Sequence, residues 1–205
     1  MKWFFSIIIA LSLTIALSAQ TLGSLTYNAS IATDRLNDYT DGVSWRGVGL
    51  EGRWFTNKNI SFGLSFGWNV FAERTNEMIN LEQGNIHADI SGTQIRTVNS
   101  LPIMATAHYY LGKRRDPLRF YVGAGAGVYY IKQRLEIGVV AFESNNWHFG
   151  LAPEAGVLIG LSRDVTMIVN TKYNYAFSSG EPLSGGDDNT YAYWGINIGF
   201  AWQSF

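Results

Sequence analysis

The chain contains no cysteine, which excludes disulfide scaffolds, thiolate metal centres and a lipidated N-terminal cysteine. Charge is scarce as well. Asp, Glu, Lys and Arg supply 15% of 205 residues, against about 25% in soluble domains. A net charge of −1 leaves no basic surface for nucleic acid. Proline occurs four times, and after residue 20 no apolar run is long enough for a membrane helix. What is present instead is 22 glycines and 15% aromatic residues. This mixture reads as an all-β chain with more apolar surface than a core of its own can hide.

The opening MKWFFSIIIALSLTIALSAQ has Lys2, an apolar run from Trp3 to about Leu17, and then small residues. It reads as a secretory signal peptide, with cleavage after Ser18 or after Ala19 both open. The run is short for a bilayer anchor and lacks a basic stop-transfer flank. The expected division is a signal peptide over 1–19 and one domain over 20–205.

Beyond it the hydrophobic pattern has a period of two, the mark of a β-strand with unlike faces. In ISFGLSFGWNV, Ile60, Phe62, Leu64, Phe66, Trp68 and Val70 alternate with Ser61, Gly63, Ser65, Gly67 and Asn69. The second face is small and uncharged, which suits a narrow lumen better than open water. Seven more segments repeat the pattern, beginning near Leu25, Val48, Leu101, Phe120, Trp147, Val165 and Trp194. Each is about ten residues long, enough to cross a membrane when tilted by about 45°. The expected fold is therefore an eight-stranded antiparallel transmembrane β-barrel, an up-and-down meander with Phe62, Leu64, Phe66, Trp68, Val122 and Trp202 facing lipid.

The connections support closure in a membrane. Those at 57–59, 113–117 and 161–164 are short, whereas those near 34–44, 75–92, 133–146 and 178–190 are long. Short periplasmic turns and long outer loops are usual in such barrels. Aromatics gather at both ends of the strands: Trp54, Phe120 and Trp202 toward the turns, Trp68, Tyr130, Trp147, Tyr175 and Trp194 toward the loops. Rings at these levels suit the two headgroup regions. A soluble barrel with an aromatic core is the competing architecture, but its second face would have to be a solvated one.

Parity places Glu51, Arg53, Glu154 and Lys172 on the lumen side, with Glu154 and Lys172 equally far from the turn between their strands. Buried ions need partners, so these four are expected to form a lumen ion-pair network, either a fixed plug or a rearranging gate. His108, Tyr110, Tyr121, Tyr129 and His148 share that face. No catalytic residues, no metal site and no cofactor are expected, because no histidine sits in a motif known from lipid-modifying barrels. Asp187, Asp188 and Asn189 are adjacent and converge poorly on one ion. The acidic loop residues Asp34, Asp38, Asp41, Glu73, Glu77, Glu82, Asp89, Glu143, Asp187 and Asp188, with few bases among them, read either as an ordinarily solvated rim or as one that attracts divalent cations. Pro153 falls mid-strand, where a bulge is the expected accommodation.

The run LPIMATAHYYLG, a basic turn, and DPLRFYVGAGAGVYY resemble the fourth and fifth strands of the small outer-membrane β-barrel superfamily, which includes OmpW, OmpX, OmpA-type transmembrane domains and porin-family barrels. WHFGLAPEAGVLIGLSRDVTMIVNTKYNYAF resembles its sixth and seventh strands. The resemblance implies residence in the Gram-negative outer membrane among lipid and lipopolysaccharide. It implies insertion by the barrel assembly machinery through the last strand, and a structural or transport role for small or apolar solutes. Adhesion through the long loops is the alternative, and a lipid-modifying barrel enzyme is a third, less favoured one. One departure is that Phe205, the terminal aromatic, is out of phase with Trp202, Phe200 and Ile198.

Overall fold

The computed structural model of the chain describes residues 20–204 apart from 41, 84–85, 114–115, 138–139 and 181–188. The signal-peptide reading of 1–19, and Asp41, Asp187, Asp188 and Phe205, fall outside the described residues. The side chains of 76–93, including Glu77, Glu82, His87 and Asp89, fall outside them too.

Eight strands form the ring: β1 (Thr21–Thr33), β2 (Gly47–Phe55), β3 (Ile60–Gln83), β4 (Ile86–Tyr110), β5 (Leu118–Ile137), β6 (Val140–Gly160), β7 (Val165–Ala176) and β8 (Tyr191–Ser204). Each pairs antiparallel with the next, and β8 pairs back onto β1 from Thr21↔Ser204 to Thr33↔Ala192. A two-residue ladder at Val43–Ser44 continues β2 outward, past an interruption at Trp45–Arg46, onto Ser30 and Ile31 of β1. Closure gives each strand two neighbours, so the backbone needs no water within a bilayer.

The turns are set by local side chains. The Asn57 carboxamide oxygen accepts from the backbone N–H groups of Asn59 and Ile60, both at 2.8 Å. The Asp116 carboxylate accepts from Lys113 N–H at 2.6 Å, beside Gly112 at φ +80, a conformation that favours glycine. Ser162 Oγ accepts from Val165 N–H at 3.1 Å.

Apolar and polar residues are inverted relative to a soluble protein. Phe62 is 55% and Val122 51% exposed, whereas Arg53 is 0% and His108 2% exposed. Leu64, Phe66, Trp68 and Trp202 are likewise exposed on the outer surface. The outward rings pair across strands at the loop end: Tyr130 with Trp147 at 5.0 Å and Tyr173 with Trp194 at 4.8 Å between centroids.

Three sequence expectations are corrected. The segments 75–92 and 133–146 are not simple loops. β3 and β4 stay paired to Gln83↔Ile86, and β5 and β6 to Ile137↔Val140. Past the aromatic rings the hydrophobic alternation fades while backbone pairing persists. From Val70 to Thr75 β3 lies in a four-stranded sheet of β3–β6 beyond the closed ring, and past Gln94↔Ile137 only the β3–β4 hairpin continues, to Gln83, about 43 Å from Val70. Pro153 makes no bulge. Leu151↔Tyr175 and Glu154↔Lys172 keep one register on either side, and the proline only interrupts the ladder. The 34–44 segment holds a short helix, α1 (Asp34–Tyr39), closed where Thr40 Oγ1 donates to Leu36 O at 2.8 Å.

Candidate functional site: a charge cluster in a sealed lumen

Glu51 and Arg53 stand two apart on β2 and therefore share the inner face. Ladder pairing puts Glu154 of β6 directly opposite Lys172 of β7. The lumen is narrow enough for the two pairs to meet. Arg53 Nη2 donates to Glu51 Oε2 at 2.8 Å and to Glu154 Oε1 at 3.1 Å. Lys172 Nζ reaches Glu154 Oε2 at 2.9 Å. Arg53 also donates to the hydroxyls of Tyr110 at 3.0 Å and Tyr121 at 3.2 Å, and lies 4.5 Å over the Tyr121 ring. Thr106 Oγ1 donates to Glu51 at 3.0 Å, and Asn170 donates to the Tyr121 hydroxyl at 3.0 Å. Two carboxylates and two cations balance.

His108 joins them, with Nε2 at 2.7 Å from Glu154 and 3.4 Å from Glu51. An ionised carboxylate only accepts, so Nε2 carries the proton. Glu51, His108 and Glu154 bring one ligand atom each within 4.8 Å of one another, the spacing of a metal tripod. The donor set does not fit a cation, however. Nε2 is a donor here, and Arg53 and Lys172 already neutralise both carboxylates. A divalent ion would leave net positive charge in a buried space, at a prohibitive desolvation cost.

Apolar clusters close the lumen above and below. The inner one joins Leu22, Phe55, Tyr110, Tyr121, Leu158 and Ile168, and the Arg119 guanidinium lies 4.5 Å over the Tyr110 ring while donating to Lys58 O. The outer one gathers Leu36 of α1 with Phe71, Val98, Tyr129, Ile131 and Tyr193. Tyr193 OH bonds Asn69 Nδ2 at 3.3 Å and Ser100 Oγ at 3.2 Å. Between the seals lies a polar cavity of about 50 Å³ bordered by Asn28, Asn69, Asn170, Asn174, Asn197 and Lys172, room for a few waters.

His148 also faces inward but stays apart from the cluster. Its Nδ1 meets Phe177 O at 2.9 Å, and its ring lies edge-on to Tyr191 at 5.2 Å. Tyr129 donates to Asn174 Oδ1 at 3.2 Å. Asn189, considered above as a cation ligand, is a loop anchor. It is buried, its N–H donates to Ser178 Oγ at 2.8 Å, and its Nδ2 donates to Ser179 O at 2.6 Å.

Lys132 pairs with Glu143 at 2.9 Å and Arg134 with Glu136 at 2.6 Å on the projecting strands. The Lys132 hydrogen bond holds the Glu143 carboxyl below its usual range. Sequence parity alone missed the two seals and Arg119. Leu158, Ile168 and Arg119 occupy the inward phase near the turns, and that inward placement of two apolar residues and one cation was the available signal.

The geometry defines a class, the small closed eight-stranded barrel of outer-membrane type. No family model matches the chain, and no curated relative matches it. Solved structures do. Neisserial surface protein A aligns with a TM-score of 0.55 at 14% identity, covering 89% of this chain and 96% of that one. The N-terminal β-barrel domain of Pseudomonas aeruginosa OprF aligns with a TM-score of 0.51 at 12% identity, covering 91% and 100%. At such identities the likeness is one of fold, and the fold is that of the small outer-membrane β-barrels.

Proposed function

We propose that the chain is an integral outer-membrane protein, exported on a cleaved leader, that acts as an adhesion or recognition barrel through its projecting β3–β6 sheet. The observation that carries this reading is the sealed lumen: two apolar clusters enclose a balanced charge network, while the sheet extends past the ring. On this reading the outward apolar face meets membrane lipid and lipopolysaccharide, and β8 engages the assembly machinery. This reading assigns no catalytic step to the chain. Replacing 76–93 with a two-residue turn joins Thr75 to Gln94, which already pair. The shortened barrel is expected to fold while attachment of expressing cells to protein-coated surfaces drops to the level of cells lacking it. Unchanged attachment would reject the proposal.

The cavity and charge cluster favour a second reading, assisted passage of small solutes by rearrangement of the ion pairs. Planar-bilayer recording separates the two. Silence over many insertions supports the adhesion reading, and steady conductance supports passage.

A further inference from the structure

Glycines inside and outside this barrel answer to different constraints. At the lumen-facing Gly127, Gly150, Gly156 and Gly199 a Cβ would run into backbone or ring atoms of adjacent strands. Gly23 faces outward, and a Cβ there would have nothing within 4 Å. Gly52, its direct cross-strand partner, would meet only the edge of Trp54 at 3.9 Å. Neither has a positive φ. Glycine weakens a strand interior, and where the backbone does not need it, it marks close approach by something else. Here nothing among the described residues makes that approach.

The pair is the floor of an apolar recess. Trp202 flanks Gly23 and Leu64 flanks Gly52, Leu25 and Leu50 stand on the loop side, and Trp54 stands on the turn side. Gly52 lies three residues from the end of β2 at Phe55, about 10 Å along the strand. The recess thus sits just inside the hydrocarbon, under the tryptophans of the inner ring. Below it, Lys58 is exposed on the β2–β3 turn. Arg163 is exposed on the β6–β7 turn, two residues before Val165, which pairs with Trp202. Among the described turn residues, Lys58, Lys113 and Arg163 outnumber Asp116 and Asp164.

We propose that this recess binds an anionic phospholipid of the periplasmic leaflet, with one acyl chain packed over Gly23 and Gly52 between the two tryptophans and the headgroup phosphate held at Lys58. A smooth apolar wall would treat all lipids alike. A recess above a basic turn selects one by shape and by charge complementarity. The inference rests on the membrane reading above.

Native mass spectrometry of the refolded barrel, with phosphatidylglycerol or phosphatidylcholine added, tests it. The wild type is expected to retain one phosphatidylglycerol in preference to phosphatidylcholine. Lys58→Gln, on an exposed turn, is expected to lower that preference about fivefold, the weight of one basic side chain at an anionic surface. Gly23→Leu with Gly52→Leu fills the recess from outside and is expected to abolish retention of both lipids. Equal retention of the two lipids by the wild type overturns the proposal, as does unchanged retention by the leucine variant. A dimer peak that vanishes in the leucine variant overturns it in favour of a second copy. Insertion into phosphatidylethanolamine–phosphatidylglycerol vesicles, read by heat-modifiable gel mobility, keeps the two readings apart. A wild type that fails to insert removes the membrane reading as well, whereas insertion with unselective retention removes only the lipid site.

Discussion

Glu154 is the hub of the lumen cluster, accepting from His108 at 2.7 Å and Arg53 at 3.1 Å and forming an ion pair with Lys172 at 2.9 Å, with a side chain 1% exposed. Glu154→Gln keeps its shape but removes one of the two negative charges that balance Arg53 and Lys172. Leaving a buried charge without its partner costs about 3–5 kcal/mol. Lys172 retains 16% side-chain exposure and borders the polar cavity, so it can take up water, and the loss should fall near the lower end, about 3 kcal/mol. Lys172→Met leaves the opposite imbalance and should cost a similar amount. Combining the two restores neutrality, with Glu51 still on Arg53. The double variant should fall about 2–3 kcal/mol short of the sum of the single losses. Equilibrium urea unfolding of the refolded barrel, followed by tryptophan fluorescence, measures all three. Single losses below about 0.5 kcal/mol, the size of a surface change, or strict additivity would refute the view that these charges act as one buried unit.

Two further outcomes are expected. Gly199→Ala drives a Cβ into the Leu25 carbonyl, whereas Gly23→Ala meets open space; the same unfolding assay should show a loss of about 1–3 kcal/mol for the first and none for the second, and equal effects would contradict the assigned faces. Lys132→Met removes the hydrogen bond that depresses the Glu143 carboxyl. Its titration by NMR should therefore move to higher pH, and because the pair is exposed stability should stay unchanged; an unmoved Glu143 would mean that the pair does not form.

Much of this architecture is legible in the alternation of stretches such as Ile60–Val70. A period of two is a local property of the extended backbone, so it assigns Phe62, Leu64 and Phe66 to one face and Ser61, Gly63 and Ser65 to the other before any contact is known. Turn lengths add the meander, and parity sends Glu51, Arg53, Glu154 and Lys172 inward. The pattern is silent where its cause is missing. The projecting halves of β3–β6 lie past the apolar band, so their pairing leaves no hydrophobic trace. α1 is too short to carry one.

What parity could not supply is which inward groups touch. Arg53 and Glu154 lie 101 residues apart, and they meet only because closure of β8 onto β1 brings opposite walls of a narrow ring within reach. His148 obeys the same parity as His108, yet ends beside Phe177 and Tyr191, because depth along the axis decides the neighbours. The seals arise in the same way, as Leu36 and Phe71 at one end and Phe55 and Tyr110 at the other converge across the ring. Side-chain direction is written residue by residue along the chain. Contact across the lumen depends on ring closure and strand stagger, properties of all eight strands together.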